Sequence, residues 1–313
     1  MSSMKAIRLE RYGNLDVLQY GDAPLPTPGT GEVLIRAQAA SVNPFDCAVR
    51  AGYVAGYYQY NFPLIPGLDV AGVIEKCGPE VTQFKVGDEV YARTDPGRNG
   101  AYAEYVLANV KEVAARPKSV SPQQAGALPH AALTAWAMVE AANLSQGQTV
   151  LIHGAAGGVG HMAVQFAKQR GACVIGTSSE SNLDFLCDIG ADDTINYTTT
   201  PFESVAREVD VVLDTVGGDT QERSWPILKP GGILLSIAQP PSQESAASYG
   251  VRQQFVGYLM PGGELLSKFA AMVDAGELKV TVSQVLPLSE AQRAQAMVEG
   301  RHTRGKVVLD IAQ

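Results

Sequence analysis

A glycine-rich turn between an apolar strand and an amphipathic helix constrains the fold of this chain more than any other segment. The turn lies within Thr149–Gly160, which reads Thr-Val-Leu-Ile-His-Gly-Ala-Ala-Gly-Gly-Val-Gly. The pattern predicts a strand over Thr149–Ile152, a helix over Val159–Arg170 and a second apolar strand over Cys173–Thr177. Strand, turn, helix and strand in this order are typical of a parallel α/β sheet that binds a dinucleotide.

Three residues of the turn stand at the positions of the dinucleotide fingerprint: Ala155, Gly157 and Gly160, with alanine in the first. The missing side chain of Gly157 lets the backbone approach a pyrophosphate, and Gly160 lets the helix pack closely on the strand. Free N–H groups and the positive dipole at the helix start then hold the anionic phosphates. A glycine turn without a ligand is the alternative, and the complete strand–turn–helix–strand context favours the dinucleotide site.

Composition and charge exclude several classes of partner. Of the 313 residues, 46% are hydrophobic and 18% are charged, which is typical of a globular protein. The net charge of −8 is spread along the chain without a Lys/Arg run, so we expect no nucleic-acid partner. No apolar run is long enough to cross a bilayer, and the first residues lack the apolar core of a signal peptide. We therefore expect no membrane partner.

The cysteines indicate the compartment. Cys47, Cys77, Cys173 and Cys187 are scattered without a Cys-x-x-Cys pair, which argues against a disulfide framework and fits a reducing environment. Cys173 falls inside an apolar strand and is predicted to be a small core residue. We expect the protein to be cytoplasmic.

Two regions of different pattern follow one another along the chain. The first 120 residues carry short strands separated by Pro/Gly turns, which predicts a compact β-rich domain. From Ser121-Pro122 onward, helical segments over Gln123–Ala142 lead into alternating strands and helices, which predict a doubly wound parallel sheet. The later predicted strands are Asp193–Tyr197, Val209–Asp214, Gly232–Ile237, Gln254–Tyr258 and Gly305–Asp310, and the later helices are Ser181–Ile189, Thr220–Leu228 and Gly263–Ala275.

Several segments together resemble the zinc-independent quinone oxidoreductase and enone reductase branch of the medium-chain dehydrogenase/reductase superfamily. The resemblance covers essentially the whole chain and includes the turn described above. Its carriers are Ala39-Ala-Ser-Val-Asn-Pro-Phe-Asp46, Pro66-Gly-Leu-Asp-Val-Ala-Gly-Val73, Val86-Gly-Asp-Glu-Val-Tyr91, Gly100-Ala-Tyr-Ala-Glu-Tyr-Val106, Leu133-Thr-Ala-Trp136, Gly190-Ala-Asp192, Ile195-Asn-Tyr197 and Gly305-Lys-Val-Val308.

The resemblance implies an α/β fold in which a Rossmann doubly wound parallel sheet is inserted into a β-rich GroES-like domain. The implied bounds are 1–121 for the first part of the GroES-like catalytic domain, 122–275 for the NADP-binding domain, and 276–313 for the return to the catalytic domain. Substrate is expected in a cleft between the domains. Relatives of this branch commonly form homodimers by pairing their final Rossmann strands, which here correspond to Gln254–Tyr258, so a homodimer is expected. Coverage of that strand by the preceding loop, Gln239–Gly250, is the alternative.

Metal ligands distinguish this branch from the zinc alcohol dehydrogenases. Where those enzymes have a ligating cysteine and a Gly-His-Glu motif, this chain has Asn43 and Gly67-Leu68-Asp69. Leu68 has no donor atom, and zinc needs three protein ligands in tight geometry. We therefore expect no metal, although a zinc alcohol dehydrogenase remains an alternative that elemental analysis would decide.

A chain without a metal lacks the Lewis acid that polarises a simple carbonyl. Quinones and α,β-unsaturated carbonyls spread the charge of an added hydride onto their own oxygen. The protein then has to align the cofactor, supply a donor to that oxygen and exclude water. The expected function is an NADPH-dependent reductase of quinones or enones; a non-catalytic NADPH-binding protein of the same fold is the alternative.

The resemblance also assigns roles to single residues. Asn43 is expected near the nicotinamide ribose or substrate, although Asn before Pro44 is also a common turn residue. Tyr53, from the aromatic loop Gly52–Phe62, is the candidate proton donor, although packing of a surface loop would also explain it. The remaining cofactor-binding residues implied by the resemblance are Thr134, Ala155, Gly157, Gly158, Val159, Gly160, Ser179, Asn182, Tyr197, Val216 and Lys306.

The end of the second parallel strand indicates which nicotinamide cofactor is used. NAD-preferring domains place Asp or Glu there, where it binds the ribose diol and repels a 2′-phosphate. Here the strand ends Gly176-Thr-Ser-Ser179, and the first acid, Glu180, comes later in the turn. Relatives often carry Lys or Arg at the position of Asn182, which would add a charge-assisted bond to phosphate. The neutral strand end favours NADPH.

Overall fold

The computed structural model describes residues 2–257 and 261–312. Its strands are β1 (Ser3–Arg8), β2 (Gln19–Pro24), β3 (Glu32–Val42), β4 (Asp69–Cys77), β5 (Glu89–Arg93), β6 (Tyr105–Asn109), β7 (Val113–Ala115), β8 (Thr149–His153), β9 (Cys173–Ser178), β10 (Asp193–Asn196), β11 (Val209–Asp214), β12 (Leu228–Ser236), β13 (Arg252–Phe255), β14 (Val282–Pro287) and β15 (Lys306–Asp310). Its helices are α1 (Pro44–Ala51), α2 (Pro122–Ala127), α3 (Pro129–Ala141), α4 (Gly160–Gln169), α5 (Leu183–Asp188), α6 (Phe202–Val205), α7 (Asp219–Ser224), α8 (Gln243–Ser248), α9 (Gly263–Asp274) and α10 (Ala291–Glu299).

The chain divides into two compact units, which we call the β unit (residues 1–130 and 260–313) and the parallel-sheet unit (131–259). These units change at 130/131 and 259/260, whereas the predicted domains change at 121/122 and 275/276. Helix α2 packs on β3, β4 and β15, and helix α9 packs on β7, so both helices belong to the β unit.

The parallel-sheet unit has six parallel strands in the order β10-β9-β8-β11-β12-β13. The chain moves outward from β8 to β10 and then returns to place β11 on the other side of β8. The strand order therefore reverses between β8 and β11, where doubly wound sheets bind their ligands. Both strands are apolar and buried, because helices cover both faces of such a sheet. The predicted doubly wound fold is confirmed.

The β unit has a sheet in the order β14-β15-β3-β4-β5-β7, with β6 also paired to β3. Strand β15 runs antiparallel to β3, with Val307 opposite Val42, so the last strand of the chain completes a sheet begun near its start. Ile35, Val70 and Val307 belong to one buried apolar cluster beneath this sheet. The predicted β-rich GroES-like unit, completed by the C-terminal tail, is present.

Two local predictions are wrong. Cys173 is exposed rather than buried, because it is the first residue of β9 and follows directly on the turn at Gly171. The final parallel strand is Arg252–Phe255 rather than Gln254–Tyr258, because Arg252 is the residue that pairs with Ile233 of β12. Tyr258 lies outside the described residues. Within residues 2–257 and 261–312, no helix has the length and apolar character needed to span a membrane.

Candidate cofactor and substrate sites

The glycine turn connects β8 to α4 and is fixed by backbone hydrogen bonds. Gly154 has a φ of +64°, a conformation that favours glycine, and Gly157 N–H donates to its carbonyl oxygen at 2.9 Å. Ala155 N–H donates to Thr177 O at 3.1 Å, which ties the turn to the neighbouring strand β9. These bonds set the direction in which α4 leaves the sheet.

Gly157 and Gly160 differ in what surrounds them. A Cβ at Gly160 would clash with Gly154 O and lie 2.7 Å from Ala155 Cα, so this glycine is required for close packing of helix on strand. A Cβ at Gly157 would meet one neighbour among the described residues, Gly154 O at 3.2 Å. The other side of Gly157 is open to an approaching group. The turn therefore fits a pyrophosphate held at the start of α4, with Gly158 and Val159 between the two glycines.

A second loop at the same end of the sheet follows β11 and is shaped by Asp214. Asp214 lies opposite His153 in the β8–β11 pair and is fully buried. Its Oδ1 accepts hydrogen bonds from the N–H groups of Val216 and Gly217 at 2.9 and 2.8 Å. Its Oδ2 accepts from Gln221 Nε2 and Ser236 Oγ. Val216, a predicted cofactor residue, is therefore held next to the switch point of the sheet.

His153, the last residue of β8, contacts two hydroxyl groups through its ring nitrogens. Its ring nitrogens lie 3.2 Å from Thr177 Oγ1 and 3.0 Å from Ser224 Oγ, and its ring packs edge-on against Phe202. Burial lowers the pKa of His153 to about 4, and the nearby Asp214 only partly offsets this effect. The imidazole is neutral at physiological pH and braces the loops around the turn.

The end of β9 carries hydroxyl and amide groups rather than a carboxylate. Asn182 Nδ2 donates to Ser179 Oγ at 3.2 Å, and Ser181 Oγ lies 3.4 Å from the same oxygen. Glu180 is exposed in the following turn. Tyr197 follows β10 with its N–H donating to Ser178 O at 3.1 Å, and its side chain is half exposed. Ser179, Asn182 and Tyr197, three cofactor residues implied by the resemblance, therefore lie together just after the carboxyl ends of β9 and β10.

The β unit contains a buried polar cluster formed by Asn43, Asp46, Asp69, Tyr102 and Lys306, which we call the Asn43 cluster. Asn43 is 2% exposed at the N-terminal end of α1. Its Nδ2 donates to Asp69 Oδ2 at 3.0 Å, and its Oδ1 accepts a very short hydrogen bond from Lys306 Nζ. Lys306 Nζ also lies 3.9 Å from Asp69 Oδ2. The structure thus brings together two predicted site residues, Asn43 and Lys306, and directs the carboxamide of Asn43 to Lys306 and Asp69.

Asp46 is the second carboxyl group of the Asn43 cluster. Its Oδ2 accepts hydrogen bonds from Asn43 N–H at 2.8 Å and from Tyr102 OH at 3.1 Å. Burial is the main cause that raises the pKa of Asp46 to about 7, and the neighbouring Asp69 adds to it. Burial also lowers the pKa of Lys306, against the opposing effect of both carboxylates. The cluster therefore holds titratable groups whose ordinary charges are disfavoured.

The residues at the position of the zinc site in alcohol dehydrogenases do not fit a zinc ion. Leu68 is buried and offers no donor atom, and the ammonium group of Lys306 lies directly on the carboxamide of Asn43. A cation at this position repels a second one, and zinc requires thiolate, imidazole or carboxylate donors. Within the described part of the chain, no group of three or more His, Cys, Asp or Glu residues could hold a metal ion.

His130 lies beside the Asn43 cluster. Its N–H donates to Asp69 Oδ1 at 2.8 Å, and its Nδ1 lies 3.2 Å from Arg93 Nε. Because the guanidinium can only donate, Nδ1 acts as the acceptor and the ring proton resides on Nε2. Burial, Arg93 and Lys306 hold the pKa of His130 well below its usual range. No local signal in the sequence indicated this pairing of His130 with Arg93.

The aromatic loop divides into exposed and packed tyrosines. Tyr53, the predicted proton donor, is 82% exposed, and Tyr57 is equally open. Tyr58 packs edge-on against Phe45, and Tyr60 packs against Tyr58 at a centroid distance of 6.0 Å. The structure therefore brings Tyr60, and not Tyr53, close to buried groups.

Thr134, the remaining predicted cofactor residue, lies on α3 of the parallel-sheet unit and is buried. Two functional candidates, Asp214 and Tyr60, escaped the sequence analysis. Asp214 had a usable signal, because it is a carboxylate at the carboxyl end of a parallel strand. Tyr60 had none, because burial of one tyrosine among four in a loop depends on the fold.

Two family models match the chain. Residues 29–118 match one described as an alcohol dehydrogenase GroES-like domain, and residues 189–309 match one described as a zinc-binding dehydrogenase.

Known proteins are similar along almost the whole chain. The mitochondrial NAD(P)H oxidoreductase RTN4IP1 of Danio rerio is 33% identical over 99% of this chain and 92% of its own length. The 2-methylene-furan-3-one reductase of Solanum lycopersicum is 35% identical over 98% of this chain and 79% of its own length. The solved structure of the quinone oxidoreductase from Coxiella burnetii has a TM-score of 0.92 and 35% identity, covering 99% of this chain and all of the other.

Proposed function

Because this chain belongs to the medium-chain dehydrogenase/reductase superfamily, in its quinone oxidoreductase and enone reductase branch, we propose that it is an NADPH-dependent reductase of quinones or α,β-unsaturated carbonyls that works without zinc. Membership makes it an oxidoreductase that uses a nicotinamide cofactor. The proposal adds the identity of that cofactor, the class of acceptor and the absence of a metal from the reaction.

The glycine turn is the observation that carries the proposal. Its open side at Gly157 gives the backbone room to approach a pyrophosphate, and the N–H groups at the start of α4 give it an anion site. Asp214 holds the second loop in place through four hydrogen bonds. When bound, the cofactor supplies a hydride; the protein fixes its position and its protonation surroundings.

The choice of acceptor follows from what the β unit provides. The Asn43 cluster supplies hydrogen-bond donors and a buried cation, Lys306, but no Lewis acid. An acceptor that delocalises negative charge onto its own oxygen needs no more than a donor and exclusion of water. Two relatives are named as a quinone oxidoreductase and a 2-methylene-furan-3-one reductase, and both names specify conjugated carbonyl compounds as substrates. These names support the same class of acceptor here.

NADPH is proposed over NADH because of the groups around Ser179. Hydroxyls and an amide end β9, where a carboxylate would repel the 2′-phosphate.

The test is an assay of purified protein for NADPH consumption against a panel of 1,4-quinones, alkenals and enones. We expect turnover with at least one class and a higher kcat/KM with NADPH than with NADH. Tight NADPH binding without turnover on the whole panel would instead support a non-catalytic NADPH-binding protein.

The matched variant is Gly157→Val, whose branched side chain would fill the space of the pyrophosphate. It should weaken NADPH binding on the order of 100-fold, about 3 kcal/mol, while the protein stays folded; an unchanged dissociation constant would remove the basis of the assignment.

A C2 homodimer and a cytoplasmic location are also proposed. Strand β13 is an edge strand of the described sheet, and pairing with a second copy would cover it. Arg252, which lies outside the predicted strand, gives this edge a charged side chain. Light scattering at micromolar concentration tests the dimer, since a mass near the 33.1 kDa of one chain would rule it out under those conditions.

A further inference from the structure

A small, partly open cavity lies next to the Asn43 cluster, inside the β unit. Phe45, Asp46, Tyr60, Leu68 and Arg98 are among the residues that line it. Its volume of about 10 Å³ is close to the smallest that holds one water molecule.

Two polar atoms of the lining residues lack a protein partner. Asp46 Oδ1 and Tyr60 OH are both buried, and neither makes a hydrogen bond to any residue in ranges 2–257 and 261–312. Asp46 itself is 1% exposed. Buried polar atoms are nearly always hydrogen-bonded, and a pair of them around a cavity of this size is the usual setting of a buried water.

The hydrogen bonds of Asp46 decide which of its oxygens carries a proton. Oδ2 already accepts from Asn43 N–H, Asn43 Nδ2 and Tyr102 OH, so a proton on that atom would face three donors. Oδ1 has no such donor among the described residues. A proton on Asp46 therefore resides on Oδ1, which is the carboxyl oxygen still available to a molecule in the cavity.

The charges around Asp46 favour its neutral form. Two carboxyl groups, Asp46 and Asp69, share one ammonium group, Lys306, which bonds to Asn43 and lies 3.9 Å from Asp69. With Asp69 paired to Lys306, a proton on Asp46 makes the group of three neutral. The pKa of Asp46, raised to about 7 mainly by burial, agrees with this count.

Burial is the main cause that raises the pKa of the Tyr60 phenol above its usual range, so Tyr60 holds its proton at rest. Several other charged or titratable groups nearby are paired or held neutral. Arg50, on the same helix as Asp46, is paired with Glu299 of α10, and Arg98 is paired with Glu32. Burial raises the pKa of the Cys47 thiol to about 12, so it stays protonated. The phenol of Tyr102 is also held neutral, because burial raises its pKa well above the usual range.

We propose that the cavity binds one water molecule between the carboxylic acid of Asp46 and the phenol of Tyr60, and that this assembly stores the proton that the reduction consumes. The water accepts the hydrogen bond of the Asp46 Oδ1 hydroxyl and donates to Tyr60 OH. Asp46 holds the proton, and Tyr60 is the donor through which it leaves.

The delivery step rests on the proposed reductase function and balances as follows. Tyr60 gives its hydroxyl proton to the anionic oxygen of the reduced acceptor, the water gives one of its protons to the phenolate, and Asp46 gives its Oδ1 proton to the water. One proton reaches the product, Asp46 becomes a carboxylate, and solvent restores its proton before the next turnover. The hydride and its two electrons come from the nicotinamide cofactor.

Storage of the proton on Asp46 is tested without any turnover, by infrared spectroscopy of the carboxylic-acid C=O stretch. The wild-type protein at pH 6 should show a protonated-carboxyl band that is missing in Asp46→Asn. Asn presents a C=O and an N–H₂ in place of Oδ2 and the Oδ1 hydroxyl, so the variant keeps the geometry of the neutral acid. Tyr60→Phe should shift the band, because the water loses its second partner, whereas Tyr20→Phe, an exposed tyrosine of β2, should leave it in place. A spectrum unchanged in both Asp46→Asn and Tyr60→Phe would overturn the proposal.

The delivery step is tested by kinetics on an acceptor that the wild-type protein reduces. Tyr60→Phe should lower kcat on the order of 100-fold with little change in the KM of NADPH, as expected when a proton donor is removed. Its pH–rate profile should lose the fall in activity that deprotonation of Asp46 causes near pH 7 in the wild type. Equal kcat in Tyr60→Phe and Tyr20→Phe would overturn the delivery step. Absence of wild-type activity on every acceptor would instead refute the proposed function, and the infrared result would still decide the store.

Discussion

The parallel-sheet unit and the β unit build their sites in opposite ways. In the first, the candidate anion site is a stretch of backbone, Gly154–Gly160, with hydrogen bonds within the turn and to the neighbouring strand. In the second, the Asn43 cluster is made of buried side chains from distant parts of the chain, with Asn43 and Lys306 separated by 263 positions. One site is specified locally and the other by the fold.

The electrostatics of the two units differ in the same sense. His153 of the parallel-sheet unit is buried as a neutral base, and Asp46 of the β unit is buried as a neutral acid. Burial disfavours the charged form in both cases, so the pKa of the base falls and that of the acid rises. The two units therefore lose stability at opposite ends of the pH range.

The largest expected effect is that of Lys306→Met, which removes the only ammonium group of the Asn43 cluster. Asp69 and Asn43 Oδ1 would lose their buried partner, and breaking such a pair typically costs about 3–5 kcal/mol. Loss of hydrogen-exchange protection in β3 and β15 measures this. The control is Lys168→Met, which breaks a partly exposed pair with Asp192 and should cost about 0–1 kcal/mol. Similar losses in the two variants would show that the cluster is not a tightly coupled unit.

The pH dependence of the β unit should follow Asp46. Its pKa rises from 3.8 to about 7 on folding, so the folded state binds a proton that the unfolded state releases. Stability is then highest below pH 4 and falls as the pH rises toward 7, by roughly 4 kcal/mol in total. Asp46→Asn should abolish this slope, measured by hydrogen exchange of β3 and β4. A slope that persists in the variant would contradict the assignment.

The parallel-sheet unit should respond in the opposite direction because of His153. Its pKa falls from 6.5 to about 4 on folding, so the unfolded state takes up the proton first. Stability is full above pH 6.5 and declines by roughly 3 kcal/mol as the pH drops to 4. His153→Gln should remove the decline, measured by hydrogen exchange of β8 and β11 after correction for intrinsic rates. Constant protection of these strands in the wild type between pH 7 and 4 would refute it.

The smallest expected effect concerns the choice of cofactor. Ser179→Asp places a carboxylate at the end of β9, where it would repel a 2′-phosphate and bind a ribose diol. The ratio of kcat/KM for NADPH to that for NADH should fall about tenfold or more, equivalent to about 1.4 kcal/mol. Ser248→Asp adds the same charge at the exposed end of α8 and serves as control. If the ratio of kcat/KM values is the same in both variants, the residue at the end of β9 does not determine the choice of cofactor.

The parallel-sheet unit was largely predictable because its information is local. Strand β11 was predicted with the observed bounds, and α4 within one residue at each end. Periodicity and glycine spacing report on neighbours in sequence, which is where the turn makes its contacts. The predicted edge strand begins at Gln254, two residues after the observed start of β13 at Arg252. The bounds of this strand depend on pairing with β12 rather than on its own pattern.

The β unit was predictable in class but not in its interior. Asn43 and Lys306 were each selected as single residues, and nothing in either segment indicated that they bond to one another. Helix α1, strand β14 and helix α10 were also missed. The pKa of Asp46 depends on burial, on Asp69 and on Tyr102. These causes arise from the fold and cannot be read from the residues next to Asp46 in the sequence.

The pairing of β15 with β3 has a consequence for the order of synthesis. Val42 and its neighbours leave the ribosome long before Val307, yet the sheet and the charge balance of the Asn43 cluster both require that last strand. At about 5–20 residues per second, the 263 positions between Asn43 and Lys306 correspond to roughly 10–50 s of translation. During this interval the nascent β unit carries Asp46 and Asp69 without their counter-ion, and the parallel-sheet unit, which ends at residue 259, is complete in sequence before Lys306 is made. The insertion therefore finishes before the domain that surrounds it.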